Sequence, residues 1–287
     1  MESIEGRGSS EIEYTEIESS TGPLDTSVKF HVVKDILGFI LYMHQQIPSI
    51  LQDLKFEFEA LQDEYKELEF CAKQVEVKAV TRRMHLGKMR EVKFGVKRLQ
   101  KLMSTTSNME AALQIILNEV PNIQNVLLIL GGSSMRPQHV YEMFFSHDGD
   151  FLGSGSDFMK SKVAEGLSRK AIRTLISKGA GSSSYGGQSK LFLLVKAPAS
   201  LNLPHHFLPK RDFRYSKKIV PMRLRLKCKL GHQKTSDLNH AHQPSCSIYF
   251  DDTSSPLIWY VAVNQKLDMK LLVLLFMDMS AARCLVS

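Results

Sequence analysis

The sequence predicts an α+β domain in which helices cover one face of an antiparallel β-sheet. Apolar and basic residues alternate without a break from Met222 to Leu230, which is typical of a strand with one buried face and one face in water. An apolar run from Asn125 to Gly132 ends in two glycines and indicates a second, fully buried strand. Helical patterns come first along the chain and strand patterns mostly follow, as expected for this fold class.

Helices are predicted where apolar residues recur every three or four positions. Thr26 or Ser27 can cap the first helix, which Pro48 interrupts. Residues 51–102 are rich in Glu, Lys, Leu and Met and should be mostly helical, although their heptad-like rhythm is too short to argue for a coiled coil. Asn108 is expected to start a further helix.

The second half of the chain combines one more helix with several short strands. The helix is expected at residues 157–178, where Lys178 and Gly179 provide a typical carboxyl-terminal ending. Arg136-Pro137 is expected to form a turn. Strands are predicted at residues 140–145, 191–195, 222–230, 247–251 and 257–261.

Composition indicates a globular protein with reduced cysteines. At 287 residues with 43% apolar content, the chain can bury the core of one large domain or two small ones. Its four cysteines show no paired spacing and no hydrophobic secretory segment opens the chain, so we expect a cytosolic or nuclear protein. The longest apolar run, Leu271 to Met277, is far shorter than the ~18 to 20 residues of a membrane-spanning helix, so no membrane association is expected.

Charge is unevenly distributed along the chain. Residues 1–25 hold seven acidic residues against Arg7 alone, a net charge of −6, whereas the whole chain carries +7. This acidic, serine-rich segment has few large apolar side chains and is predicted to be disordered. The basic remainder can meet nucleic acid or an acidic partner, or its charges can simply be solvated.

No catalytic motif is recognisable, so the protein is not expected to be an enzyme. Leu-Gly-Gly-Ser-Ser at residues 130–134 follows a buried strand, but no Gly-Lys-Ser/Thr comes after it. A tight turn is therefore a better interpretation than a phosphate loop. Gly153-Ser154-Gly155 is a similarly weak signal and favours a flexible connection. No cofactor is expected.

One group of possible zinc ligands has an unusual spacing. Its five Cys and His residues fall within nineteen positions, yet the spacing fits no common zinc site, and the strand alternation places the first of them in the core. A polar loop that carries histidines is the favoured interpretation, and no metal is expected. The group consists of Cys228, His232, His240, His242 and Cys246.

A basic segment provides an alternative function in nucleic-acid binding. Residues 204–232 contain nine Lys or Arg and one acidic residue, with Phe207, Phe213 and Tyr215 among them, and such a mixture can hold phosphates and stack bases. The same charges are also typical of a sheet face that is kept in solution or protected against edge pairing. Nucleic acid is therefore not the favoured partner.

Several segments together resemble the comet family of HORMA-like adaptor proteins. They are Val-Leu-Leu-Ile-Leu-Gly-Gly (126–132), Pro-Gln-His-Val-Tyr-Glu-Met (137–143), Leu-Pro-Lys-Arg-Asp-Phe-Arg-Tyr (208–215), Ile-Trp-Tyr-Val-Ala (258–262) and, at the end of the first helix, Leu-Tyr-Met-His-Gln-Gln-Ile-Pro (41–48).

In order and spacing the resemblance covers about residues 27 to 262. It implies a HORMA-like domain at 26–262, with three main helices packed on an antiparallel sheet, between the acidic tail 1–25 and a C-terminal tail 263–287. After Ala262 the chain departs from the family pattern, which continues with a proline and a closing strand. Loss of that strand would leave part of the sheet edge open and lower the stability.

The resemblance also implies an activity. Comet proteins bind the closed form of a HORMA-domain partner, such as the mitotic-arrest-deficient checkpoint protein or a meiotic chromosome-axis protein. They present it to a hexameric AAA+ ATPase of the Pch type, which opens it. A role in spindle checkpoint silencing or in meiosis follows, in nucleus and cytoplasm, with kinetochores, spindle or meiotic chromosomes as further locations.

Four residues match the partner-binding positions of that family. Arg169, Ile172 and Arg173 lie on the helix predicted at 157–178, and Met43 lies near the end of the first helix. Ile172 stands where the family has an aromatic side chain, and Met43 stands where it has a glutamine. The alternative for Ile172 is burial in the protein's own core, because that helix already has an apolar stripe at helical spacing.

Overall fold

The computed structural model describes residues 13–19, 24–47, 49–74, 79–146, 157–182, 189–216, 218–228 and 255–263. Within these residues the chain forms four helices and seven strands, which confirms the α+β fold class. In chain order they are β1 (Thr15–Ser19), α1 (Thr26–Met43), α2 (Leu54–Gln74), α3 (Ala79–Glu119), β2 (Asn125–Ser133), β3 (Arg136–Phe145), α4 (Asp157–Ser177), β4 (Lys190–Pro198), β5 (Phe207–Lys210), β6 (Met222–Cys228) and β7 (Leu257–Ala262).

The seven strands form one open, mixed sheet in the order β1-β6-β3-β2-β4-β7-β5. The prediction of an antiparallel sheet is wrong for β6, which runs parallel to both of its neighbours, β1 and β3. The other neighbouring pairs are antiparallel. Alternation along β6 correctly predicted its buried positions, Leu224 and Leu226, but such a pattern fixes the buried face of a strand and not the direction of its neighbours.

One face of the sheet, called here the helix-covered face, carries the main core. Helix α1 packs against α4 and α3, and its first turn is capped by Asp25, whose Oδ1 accepts a hydrogen bond from the Val28 amide at 2.8 Å. The cap therefore lies one residue before the predicted Thr26 and two before the alternative, Ser27. Most apolar residues of α1 are buried, namely Val28, Val32, Val33, Ile36, Leu37, Ile40 and Leu41.

Helices α2 and α3 form an antiparallel hairpin. The described chain has four helices, whereas the family resemblance implied three main helices. Leu54, Leu61 and Leu68 are buried at seven-residue spacing, and Leu61 touches α3 at Gly95. Asn108 does not start a helix, because α3 continues through it to Glu119. An exposed asparagine costs little within a helix whose neighbouring residues are packed.

The opposite face of the sheet, called here the second face, is not fully exposed to solvent, although the alternation suggested that it would be. It holds a small buried cluster of Leu127, Ile129, Val140 and Leu194. The described residues between β5 at one edge and β6 near the other, 211–216 and 218–221, are called here the crossing segment, and three of their side chains pack on this cluster. Those three are Phe213, Tyr215 and Ile219.

The prediction of disorder for residues 1–25 is wrong at 15–19. These residues form β1, which pairs with β6, and Ile17 is 4% exposed. On the second face the Glu16 carboxylate forms an ion pair with Lys227, with 2.6 Å between Oε1 and Nζ. Glu16 thus meets the basic side of β6, a long-range match that composition does not reveal.

Two further local predictions need correction. Arg136-Pro137 is not a turn, because both residues belong to β3 and the chain reverses at residues 134–135. Strand β5 was not predicted, because Pro209 disfavours a strand except at an edge, which is where β5 lies. Predictions for residues 247–251, for Gly153-Ser154-Gly155 and for 264–287 lie outside the described residues.

Candidate interaction surface

A groove of about 430 Å³ runs between α1 and α4 on the outside of the helical layer. Helix α1 contributes an aromatic wall, α4 contributes the opposite wall, and the segment that follows α1 closes one end. The lining includes Lys34, Asp35, Gly38, Phe39 and Tyr42 of α1, residues Ile50, Leu51 and Gln52, Glu110 of α3, and Glu165, Ser168, Arg169 and Ile172 of α4.

Local sequence explains why the groove has this shape. A side chain at position 38 would place its Cβ 3.0 Å from Leu51 Cδ1, so Gly38 lets the segment after α1 lie close to the helix. On α4 the buried stripe of Val163, Leu167, Ala171 and Leu175 turns inward. Ile172 follows that stripe by one position and therefore points to its side.

Large apolar side chains around the groove remain uncovered. Tyr42 is 45% exposed, Ile50 is 44% exposed and Ile176 is 52% exposed, whereas Ile172 is half-buried. Ile172 and Ile176 are one helical turn apart, so they form a second apolar stripe beside the buried one. Contiguous exposed apolar surface of this kind is typical of an interaction site.

Charged residues border the groove and largely pair with one another. Arg169 donates to Glu165 one turn earlier on α4, and Lys34 forms an ion pair with Glu110 at 2.9 Å on the other side. Arg173 is exposed on α4 and Lys170 donates to the Glu18 carbonyl of β1 at 2.8 Å. The groove is thus an apolar strip between charged rims.

The structure brings together two of the four predicted partner-binding residues. Arg169 and Ile172 line the groove, and Arg173 is exposed on the same helix without lining it. Met43 is half-buried instead, and its side chain packs on the turn after α4, where a Cβ on Gly181 would lie 3.1 Å from Met43 Cε. Met43 therefore holds the ends of the two helices together.

Sequence reasoning missed three residues of this surface, Tyr42, Ile50 and Ile176. Ile176 could have been found, because it lies four positions after Ile172 and outside the buried stripe of α4. Tyr42 and Ile50 carry no such signal. Their position beside α4 depends on how the chain turns after α1.

Beneath the end of α1 lies a buried polar network centred on His44. Its Nε2 shares a hydrogen bond of 2.6 Å with the Tyr141 hydroxyl, and its ring centroid is 4.1 Å from that of His139. Burial, together with His139, lowers the pKa of His44 to about 4, and burial raises the pKa of Tyr141 to about 12. Both side chains are therefore neutral near pH 7.

Gln46 extends this network to the sheet. Its Nε2 donates to the His44 carbonyl at 2.8 Å, and its Oε1 accepts from the Ser189 amide at 3.1 Å. The turn after α1 is thus fixed to the start of β4. This arrangement positions the neighbouring segment that closes the groove.

The structure limits how the basic segment 204–232 could bind nucleic acid. Phe207 is buried in the main core, and Phe213 and Tyr215 pack on the second face, so none of the three is free to stack on bases. On β6, Arg223 donates to Glu142 at 3.0 Å and Lys227 pairs with Glu16.

Metal binding finds no support in the part of the chain that the structure describes. No three Cys, His, Asp or Glu side chains lie together there in a way that could hold an ion. Of the zinc candidates, Cys228 is half-buried on β6, and the others lie outside the described residues. No described helix has the length and apolarity needed to cross a membrane.

The sequence matches none of the protein-family models with which it was compared, and it matches none of the curated proteins.

Proposed function

We propose that this protein is a non-enzymatic adaptor that binds a folded protein partner through the α1–α4 surface. The observation that carries the proposal is an apolar strip at the groove, in which Tyr42 and Ile176 are exposed and Ile172 is half-buried, flanked by Arg169 and Arg173. Tyr, Arg and large apolar side chains are the residue types that dominate the energetics of protein interfaces.

The composition of the surface favours a protein ligand over a substrate. The groove is open to one side of two packed helices, and four of its charged residues form two separate ion pairs, Arg169–Glu165 within α4 and Lys34–Glu110 between α1 and α3, rather than converging on one point. A protein interface of standard size needs ~800 Å² from each partner. The exposed faces of α1 and α4 offer an extended surface on which such a contact can form.

The partner that fits best is a closed HORMA-domain protein, which this chain would present to a Pch-type AAA+ ATPase hexamer. Support comes from the resemblance of residues 27 to 262 to the comet family, which binds its partner chiefly through the helix corresponding to α4 and the end of the first helix. The α+β architecture is compatible with a HORMA-like domain. ATP hydrolysis would then belong to the ATPase, and the work would be done in spindle checkpoint silencing or on meiotic chromosome axes.

The test is a pair of charge substitutions on α4. Ile172→Glu with Arg173→Glu places two carboxylates on the proposed interface, and we expect affinity for a purified closed HORMA partner to fall at least about 100-fold by titration calorimetry. The fold should be retained, because Ile172 is half-buried and Arg173 is exposed.

A matched control makes the same kind of change elsewhere. Met84 is 72% exposed and Arg83 is exposed on the outer side of α3, so Arg83→Glu with Met84→Glu should leave binding unchanged. Equal affinities of the wild type and the α4 double variant would refute this surface. Equal losses in both variants would show that charge in general, and not this helix, controls binding.

A further inference from the structure

The crossing segment is anchored to the sheet in a way that sends its basic side chains outward. Four strands lie between β5 and β6, a distance of roughly 24 Å at the usual strand spacing, which an extended chain of eleven residues can cover. Phe213, Tyr215 and Ile219 point inward onto the second face. Arg214 and Lys218 alternate with them and are exposed.

Four cations of this region are left without an acidic partner among the described residues. They are Lys210 at the end of β5 and Arg211, Arg214 and Lys218 in the crossing segment, all exposed. The neighbouring strand β6 differs, because Arg223, Arg225 and Lys227 all lie within ion-pair distance of Glu142 or Glu16. Within the described residues, the second face thus has one basic row that is neutralised, on β6, and one that faces solvent, in the crossing segment and at the end of β5.

The kind of ligand follows from which groups are available. An anchored row of cations can contact a series of phosphates, because every Lys or Arg that meets a phosphate releases condensed counterions. Base stacking is unavailable here, since Phe213 and Tyr215 are used to hold the segment on the sheet. These conditions favour the backbone of a duplex over unpaired bases, and they carry no sequence preference.

We propose that Lys210, Arg211, Arg214 and Lys218 form a contact for the phosphate backbone of double-stranded nucleic acid. The contact is independent of sequence and weak at physiological salt, and it lies on the second face, away from the α1–α4 surface. A protein that acts on partners at chromosomes would be held near them by such a contact. The inference does not require the proposed adaptor function.

The salt dependence of binding tests the proposal. With a fluorescent 20-base-pair DNA duplex, the logarithm of the association constant should fall against the logarithm of salt concentration with a slope of about −3.6 for four phosphate contacts. In the variant Lys210→Gln, Arg211→Gln, Arg214→Gln and Lys218→Gln the slope should approach zero. Arg214→Gln with Lys218→Gln alone should reduce it to about −1.8. All four side chains are exposed, so circular dichroism should show unchanged folding.

The control removes the same number of cations from another exposed basic row. Arg83, Arg90, Lys93 and Lys97 are exposed on α3, and changing all four to Gln should leave the slope unchanged. The proposal would be overturned if the slope became shallower in the α3 variant and stayed at about −3.6 in the crossing-segment variant. Tighter binding of poly-glutamate than of duplex at equal salt would also overturn it, in favour of an acidic protein ligand.

Discussion

At the scale of single residues, two adjacent glycines in β2 have opposite surroundings. A Cβ on Gly131 would lie 2.7 Å from the Arg136 carbonyl oxygen and 2.9 Å from Pro137 Cα, at a register shift between β2 and β3. Gly132 has nothing within 4 Å of the same position. The first glycine thus permits close contact of two backbones, and the second does not serve that purpose.

Alanine substitutions should separate these roles. We expect Gly131→Ala to lower the free energy of unfolding by about 1 to 3 kcal/mol, because backbone atoms must move to admit the methyl group. Gly132→Ala should change it by less than about 1 kcal/mol in either direction. Urea denaturation measures both, and equal effects of the two substitutions would contradict the close contact at Gly131.

His44 should make the free energy of unfolding depend on pH. Burial holds its pKa at about 4 in the folded protein, whereas an unfolded histidine titrates near 6.5. As pH falls from about 6.5 to 4, the unfolded chain binds the proton and the folded protein does not. The free energy of unfolding should therefore decrease by roughly 3 kcal/mol over this range. Urea denaturation at a series of pH values measures this loss.

The variant His44→Gln is the control for this pH dependence. His44→Gln should be less stable at pH 7, because the hydrogen bond to Tyr141 is altered, but its stability should fall less steeply between pH 6.5 and 4. Some slope should remain, because burial also lowers the pKa of His139. An unchanged slope in His44→Gln would show that other groups control the acid response.

At the scale of elements, the α2–α3 hairpin depends on a seven-residue spacing of leucines. Leu61 is 6% exposed against α3, whereas Phe56 on the outer side of α2 is 69% exposed. Leu61→Ala should therefore lower the free energy of unfolding by about 2 to 5 kcal/mol, and Phe56→Ala by less than about 0.5 kcal/mol. Thermal denaturation of the pair checks this, and similar melting points would contradict the packing.

Elements with strong local periodicity were predictable, and elements defined by distant partners were not. The spacing of Val163, Leu167, Ala171 and Leu175 predicted α4, and Ile172, a candidate for partner binding, lies beside that stripe in the lining of the groove. Strands β1 and β5 were missed, because short polar or proline-containing segments become strands only when an edge accepts them. The groove could not be predicted from sequence, because its shape depends on the position of α1 relative to α4.

At the scale of the whole molecule, the two faces of the sheet separate two kinds of surface. The helix-covered face carries the apolar groove between α1 and α4, and the second face carries the crossing segment with its exposed cations. The sheet between them is fixed by residues such as Val126, Leu128 and Leu193, which are almost completely buried. Substitutions on one surface should therefore leave the other intact, as additivity between distant sites predicts.

The pairing of β1 with β6 also has a consequence for biosynthesis. Thr15 lies beside Leu224, so the ribosome must add about 200 residues, which takes roughly 10 to 40 s, before the partner of the first strand exists. During that interval Ile17 has no sheet edge to join, and a chaperone could occupy it. This strand, the first in the described part of the chain, is then among the last to dock.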